Sequence, residues 1–353
     1  MDSKEEVDSL AGKESINWPF ISVVLPIRNE EKFIDRTLGL ILDQDYPHDK
    51  LEVIIVDGQS TDRTIEIVKG IAARDNRVKL LNNPKQLSSS ARNIGARAAQ
   101  GDIISYIDGH VYIDNNQLLR HTALLMMEKD VLALSRPQFL DTPDNDYFQQ
   151  AVSLARKSAF GHGLDSNIYS HQDDYVDPTS SGASYKKEIF EKVGYFDEEF
   201  DAAEDVEFNY RVGQTGFKSF TSPKLVVYYY PRKNLKDLFC QMVRYGTGRF
   251  RFLRKHSEAV SSGALIPPLY FLGLVALIIP ALFGGLARPL LLLYAGLYIL
   301  ANLGSSVVVA SESGWEYLWI LPLIYFCVHF GLAWGFLKEG AHAVFSGREK
   351  KLA

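Results

Sequence analysis

Three regimes of hydrophobic patterning follow one another along the chain. From residue 20 to about residue 110, short unbroken apolar runs alternate with segments whose apolar positions return every three or four residues. Short runs bounded by turn residues predict strands buried on both faces, and the longer period predicts helices with one buried stripe. The strand runs are ISVVLPI (21–27), LEVIIVD (51–57), VKLL (78–81) and DIISYID (102–108); the helical ones are EKFIDRTLGLILDQ (31–44), TDRTIEIVKGIAARD (61–75) and SSARNIGARAAQ (89–100). This alternation predicts an α/β fold with a Rossmann-like, mostly parallel sheet and helices on both faces. Ligands of such sheets bind beyond the carboxyl ends of the strands. That edge gathers Glu30 after the first strand, Asp57 at the end of the second, and Asp108 with His110 after the fourth.

Between residues 140 and 225 the pattern loosens into Gly, Ser, Asp and aromatic residues, as expected of a region shaped around a second substrate. After Pro231, the stretch NLKDLFCQMVRYGTGRFRFLRKH interleaves Lys236, Arg244, Arg249, Arg251, Arg254 and Lys255 with Leu238, Phe239, Phe250 and Phe252. It reads as a basic amphipathic segment at a membrane interface or, more plainly, as a solvated linker helix. Three apolar runs follow: Leu265 to Ala287 and Pro289 to Ala310 carry no charge, and in Tyr317 to Leu337 only His329 ionises. Each exceeds the ~18 residues that mark a spanning candidate. The chain therefore divides into a polar tail (1–19), an α/β domain (20–232), an interfacial segment (233–262), a membrane domain of two or three transmembrane helices (263–340) and a basic tail (341–353).

The acidic start MDSKEEVDSLAGKES has no apolar core that could act as a secretory signal, so the α/β domain is expected on the cytoplasmic side of a plasma (inner) membrane, in a multi-pass protein. Three crossings would then leave Lys338, Arg348, Lys350 and Lys351 outside, against the positive-inside tendency. One run is accordingly expected to be re-entrant or interfacial, with the Pro267-Pro268 start of the first as the candidate. The two cysteines, Cys240 and Cys327, form neither a disulfide framework nor a metal-ligand spacing, and a net charge of -5 argues against a nucleic-acid partner.

Four groups of residues could carry chemistry. Asp108-Gly109-His110 places an acid and an imidazole at a strand end, where both could reach Mn²⁺ or Mg²⁺ bridging the phosphates of a nucleotide; the bland alternative is a turn acid beside a surface histidine. Glu204-Asp205 are adjacent carboxylates, one of which repulsion would raise towards the range of a general base, unless both simply favour a helix N-terminus. Arg92 and Asn93, at an expected helix start, and Lys85 on the loop before it could hold phosphate or be ordinary surface residues. Gln241, Arg244, Tyr245 and Arg249 could close over a diphosphate or anchor in lipid.

Taken in order, the segments LPIRNEEKFI, IIVDGQSTDRT, ARNIGARAAQGDIISYIDGH, VDPTSSGASYKKEIFEKVGYFDEEF, EDVEFNYRVGQTGF, VVYYYPR and QMVRYGTGR resemble family 2 glycosyltransferases of the GT-A fold. The resemblance is closest to the membrane-bound subgroup of succinoglycan-biosynthesis glucosyltransferases. It implies a nucleotide-sugar site made by Pro26, Arg28, Glu30, Asp57, Lys85, Arg92 and Asp108, closed by Gln241, Arg244 and Tyr245. It further implies Asp108 and His110 as metal ligands, and Asp205, with Glu204 beside it, as the catalytic base. Two positions depart from the pattern: Asp57-Gly58-Gln59-Ser60 lacks the second acid that often contacts uracil, and Tyr245 replaces a tryptophan. The implied reaction is inverting transfer from a nucleotide-diphosphate sugar, expected to be a UDP-sugar, to a polyprenyl-linked saccharide at the membrane. A processive polysaccharide synthase and a non-catalytic nucleotide-sugar-binding subunit are the alternatives.

Overall fold

The computed structural model describes residues 17–162, 172–180, 182–259 and 262–352. The acidic start of the chain and the side chains of Arg348, Lys350 and Lys351, on which the sequence reading leaned, lie outside the described residues. The expected strands and helices form close to their expected bounds: β1 (Ile21–Ile27), α1 (Ile34–Leu42), β2 (Leu51–Asp57), α2 (Thr64–Ala72), β3 (Val78–Asn82), α3 (Ser88–Ala98) and β4 (Ile103–Tyr106). The looser region holds β5 (Val111–Tyr112), α4 (Leu118–Glu128), β6 (Ala133–Ser135), β7 (Gln138–Phe139), α5 (Tyr147–Lys157), the single turn α6 (Ala159–His162) and β8 (Asp174–Val176). It continues through β9 (Gly182–Lys186), α7 (Ile189–Val193), α8 (Glu204–Gln214), β10 (Ser219–Thr221) and β11 (Val227–Tyr229). Four helices end the chain: α9 (Leu235–Lys255), α10 (Ser262–Leu282), α11 (Ala287–Ser313) and α12 (Leu321–Leu352).

β1 lies inside the eight-stranded sheet, third from one edge, and both its faces are apolar. It runs parallel to β2, from Ile21 opposite Leu51 to Ile27 opposite Asp57, and parallel to β4, from Ile21 opposite Ile103 to Val24 opposite Tyr106. Pro26 lies past the last β4 pair, so its missing N–H breaks no bond to that neighbour. Alternate residues point to opposite faces. Ile21, Val23, Leu25 and Ile27 pack with Ile34, Leu38 and Ile41 of α1, whereas Val24 packs with Ala91 and Ala96 of α3 and with Phe208 and Val212 of α8. The strand order is β3-β2-β1-β4-β9-β6-β10-β8, with β9 and β8 antiparallel to their neighbours, and a smaller sheet, β5-β11-β7, flanks the end of β4.

The basic segment, expected to face lipid, is a helix held on two sides by protein. On one side Arg251 pairs with Asp201 at 2.7 Å, and Glu207 of α8, with no exposed surface, accepts from Arg211, Lys255 and His256. On the other side α9 runs parallel to α12, Leu235 meeting Cys327 and Arg251 meeting Glu339. Glycines let these two backbones nearly touch: a Cβ on Gly246 would lie 2.1 Å from the Leu332 carbonyl oxygen, and one on Gly335 2.0 Å from that of Val243. Three helices, α10, α11 and α12, are long and apolar enough to cross a membrane, yet half of the α12 stretch (50%) is buried inside the protein against 17% for each of the others. Pro267 and Pro268 do not interrupt α10. Falling in its first turns, they cost few of its ladder bonds.

Candidate active site

At the carboxyl end of β4 the chain turns through Asp108, Gly109 and His110. A Cβ on Gly109 would lie 2.9 Å from Ile27 Cγ2 and 3.1 Å from Glu30 Cγ, so the segment between the two expected metal ligands lies flush against the β1 loop. Thr37 of α1 holds it there, its hydroxyl 3.0 Å from the Gly109 carbonyl and 3.1 Å from that of Val111. Glu30 Oε1 stands 2.9 Å from His110 Nδ1. Burial lowers the affinity of His110 for its proton, but the hydrogen bond and charge of Glu30 outweigh burial and leave the pKa raised. Tyr229 of β11 closes the other side, its ring edge-on to His110 at 6.1 Å and its hydroxyl pKa held well above the ordinary value by burial and then by the charge of Asp108.

Arg92 joins this segment to the second acidic group. It sits in the second turn of α3 and not, as expected, at its start. Its Nη2 is 3.3 Å from Asp108 Oδ1 and its Nε 3.3 Å from Glu204 Oε1, with only 13% of the side chain exposed. Ala203, just before Glu204, is held in the left-handed region at φ 62°, a conformation a non-glycine residue keeps only where its surroundings impose it. Asp205 follows in the first turn of α8. Its carboxyl is pushed up to about 6, first by burial and then by Glu204, with Arg92 pulling the other way and Asp108 adding to the rise. A carboxylate poised there is mostly ionised at neutral pH yet basic enough to take a proton.

The remaining expected residues divide. Asp57, 3% exposed, accepts from the Ser60 hydroxyl at 2.5 Å and the Ser60 N–H at 3.0 Å, which makes it the cap of its own loop. The Ser60 hydroxyl in turn lies 2.8 Å from the Asn29 N–H, tying the loops after β1 and β2 together. Arg28 is exposed beside Gly58, and Pro26 borders the same rim. Lys85, expected to assist phosphate binding, is instead committed to Glu198 at 2.6 Å. Asn93 is buried, exchanging hydrogen bonds with the Phe196 backbone and donating to Glu198. Arg244 reaches the Asp201 carbonyl at 3.0 Å, three residues before Glu204, and Gln241 bonds the Tyr245 hydroxyl at 3.3 Å. The structure thus unites Glu30, Asp108, His110, Arg92, Glu204 and Asp205, with Asp57 on an adjoining loop.

The model of the glycosyl transferase family 2 matches residues 22–194. The succinoglycan biosynthesis protein ExoA of Rhizobium meliloti is 30% identical over 72% of this chain and 78% of its own length. The chain belongs to glycosyl transferase family 2. A dolichyl N-acetyl-alpha-D-glucosaminyl phosphate 3-beta-D-2,3-diacetamido-2,3-dideoxy-beta-D-glucuronosyltransferase of Methanococcus voltae is 27% identical to it over 90% of this chain and 96% of the relative. Among solved structures, the mannosyltransferase PcManGT of Pyrobaculum calidifontis, in complex with GDP-Man and Mn²⁺, covers 92% of this chain and 88% of its own at a TM-score of 0.59 and 20% identity, a likeness of GT-A fold.

In this glycosyltransferase no three acidic, histidine or cysteine side chains converge on one metal position among the described residues. Asp108 and His110 nevertheless suit a cation that takes the rest of its ligands from phosphates and water, the usual habit of Mg²⁺ and Mn²⁺ at nucleotide sites. With Glu30 on Nδ1, Nε2 of His110 is the nitrogen left for a ligand bond, and a carboxylate behind a metal-binding histidine fixes its ring. Thr37, Gly109, Tyr229 and the Glu30–His110 contact were not singled out from sequence. Tyr229 lies within VVYYYPR, so its motif was visible although its role was not.

Proposed function

We propose that this glycosyltransferase moves a sugar from a nucleoside-diphosphate sugar, a UDP-sugar, to a hydroxyl of a polyprenyl-linked saccharide at the membrane, inverting the anomeric configuration. The observation that carries the reading is Arg92, held between Asp108 and Glu204 with the raised Asp205 beside it. Asp205 accepts the proton of the acceptor hydroxyl as that oxygen bonds to the anomeric carbon. The bond from that carbon to the diphosphate breaks, and its electron pair leaves with the nucleoside diphosphate. A divalent cation held by Asp108 and His110, Mn²⁺ or Mg²⁺, would offset the charge of the departing diphosphate. Arg92 is placed to shift part of its charge from the two carboxylates to that group.

Relatives support the substrate classes: one is named for transfer to a dolichyl-linked sugar phosphate, one for succinoglycan biosynthesis, and one solved structure holds GDP-Man and Mn²⁺. Packing favours two crossings over three. α12 lies against α9 from Cys327 on, and past Leu332 the facing part of α9 carries Arg244, Arg249, Arg251, Arg254 and Lys255, which cannot sit at membrane depth, while Glu339 pairs with Arg251. Only Leu321–Phe330 remains, ~15 Å of helix against a ~30 Å hydrocarbon core. α10 and α11 therefore form the membrane hairpin, and α12 returns Lys338 to the cytoplasmic side of the catalytic domain, in keeping with the positive-inside tendency. Two helices enclose no conduit, which favours single transfer over processive synthesis.

The test uses the full chain in detergent with a panel of nucleotide sugars, Mn²⁺ or Mg²⁺, and lipid extract. One donor should release its nucleoside diphosphate only with cation and lipid acceptor present, and Asp205→Asn should abolish that release. Transfer that proceeds equally well to soluble saccharides would refute the lipid-linked acceptor.

A further inference from the structure

On the side of β4 away from β1, the strand ladder ends just before the active site. β4 pairs with β9 as far as Ser105 opposite Ser184, and β9 pairs with β6 as far as Gly182 opposite Ser135, after a shift of register between Leu134 and Ser135. The next carbonyl of β4, that of Tyr106, accepts from a side chain instead: Arg136 Nη1, at 2.7 Å. Arg136 follows β6 and reaches over β9 to make this bond. Its Nη2 lies 2.8 Å from Ser105 Oγ and 3.1 Å from Ser184 Oγ, two hydroxyls that are 2.9 Å from each other. One guanidinium thus ties together the ends of three neighbouring strands.

The side chain is 2% exposed, and among the described residues every acceptor of its hydrogen bonds is neutral. Burying a guanidinium with no carboxylate against it disfavours the folded state. Burial accordingly holds Arg136 below the ordinary guanidinium range, with the Tyr229 phenol and then the charge of Asp108 pulling the other way. What suits an arginine to this place is its rigid fork, whose fixed donor directions set the spacing of several acceptors at once.

The elements on either side give that spacing its meaning. Asp108 lies two residues past Tyr106. On the other strand, Tyr185 donates to Asn209 Oδ1 at 2.6 Å, and Asn209 Nδ2 lies 3.4 Å from the Gly182 carbonyl oxygen. A Cβ on Gly182 would fall 2.3 Å from Asn209 Oδ1, so β9 and α8 touch there, one turn of helix past Asp205. β4 therefore leads into the Asp108-Gly109-His110 segment, β9 supports the helix of Asp205, and Arg136 joins the two strands from inside the sheet. Arg92 joins Asp108 to Glu204 on the cleft side.

We propose that Arg136 is a positioning residue for the transfer, whose guanidinium fixes the spread of β4 and β9 and with it the distance between the Asp108-Gly109-His110 segment and Asp205. It touches neither donor nor acceptor. The assignment rests on the reading of Asp205 as the base.

Steady-state release of nucleoside diphosphate by the full chain in detergent, with Mn²⁺ and lipid extract, tests this when rates are expressed per folded molecule. Arg136→Met should lower kcat about a hundredfold, the scale of a 1 Å misplacement, while donor KM and the Mn²⁺ concentration for half-maximal activity stay within about threefold. Arg136→Lys, which can still donate to the Tyr106 carbonyl, should recover about tenfold of that loss. A merely structural arginine would lower Tm and leave kcat per folded molecule in place. Were Arg136→Met not to fold, Ser105→Ala and Ser184→Ala, each removing one acceptor, should lower kcat a few-fold at unchanged KM. The proposal is overturned if folded Arg136→Met, or both serine variants, turn over like the wild type. It is also overturned if donor KM or the Mn²⁺ requirement rises as far as kcat falls, because the arginine then acts on the donor site itself. Asp205→Asn in the same assay separates the two readings: if the base is misassigned that variant keeps its turnover, whereas if only the role of Arg136 is wrong it is inactive and Arg136→Met is not.

Discussion

The loops after β1 and β2 and the junction of α3, β4 and α8 both bury carboxylates, and the fold treats them in opposite ways. Asp57 is given two donors from Ser60 and becomes part of the scaffold. Asp205 is half-buried beside another acid, with the Val206 N–H and one shared arginine to offset the pair, and its pKa rises. Burial with donors makes a cap, whereas burial without enough of them makes a base. Glu207, two residues after Asp205, falls on the Asp57 side of this division: Arg211, Lys255 and His256 satisfy it, and its pKa is lowered despite burial. One helix thus carries a structural acid and, two residues before it, the acid proposed as the base.

The comparison breaks most visibly at Asp205. Asp205→Asn should lower kcat by about 10²- to 10⁴-fold, the range of general-base assistance, with donor KM nearly unchanged. Next in size is Glu30→Gln, which loosens the ring of His110. The Mn²⁺ concentration for half-maximal activity should rise about 10- to 100-fold, with activity largely recovered at saturating metal. Asp57→Asn should act on stability instead, costing about 1–3 kcal/mol through the lost charge-assisted bonds to Ser60, seen as a lower Tm and an unshifted pH profile. Thr37→Val should have the smallest effect, about 1 kcal/mol of stability with a few-fold weaker metal response. An Asp57→Asn enzyme whose pH profile moved like that of an altered base would erase the distinction between the two regions.

Much of this was legible in sequence where a single strand or helix carries the signal. The unbroken runs of β1, β2 and β4 are buried on both faces, so their period is unambiguous, and the residues that follow them land on one edge by topology alone. Contacts between distant side chains were not legible. Arg92 was placed at a helix start to meet phosphate, yet it lies a turn further in and bridges Asp108 to Glu204, 112 residues away. The third apolar run was legible as a candidate span, but its packing was not, because hydropathy counts residues without showing what covers them. Gly331 and Gly335, four apart in α12, were the available sign that this helix packs against another backbone. Labelling of Phe345→Cys in sealed vesicles checks the consequence. An impermeant thiol reagent should reach it from the side on which the catalytic domain is exposed, and labelling from the opposite side would restore three crossings.

The claim on which the mechanism turns is that Asp205 is a base raised by burial and restrained by Arg92. The pH dependence of kcat/KM for the acceptor, at saturating donor and metal, tests it most directly. Because the base works ionised, activity should fall as pH drops through about 6, and Arg92→Met, which removes the charge that lowers Asp205, should move that fall to higher pH. A fall near pH 4, where an ordinary carboxylate titrates, or one that Arg92→Met leaves in place, would contradict the account.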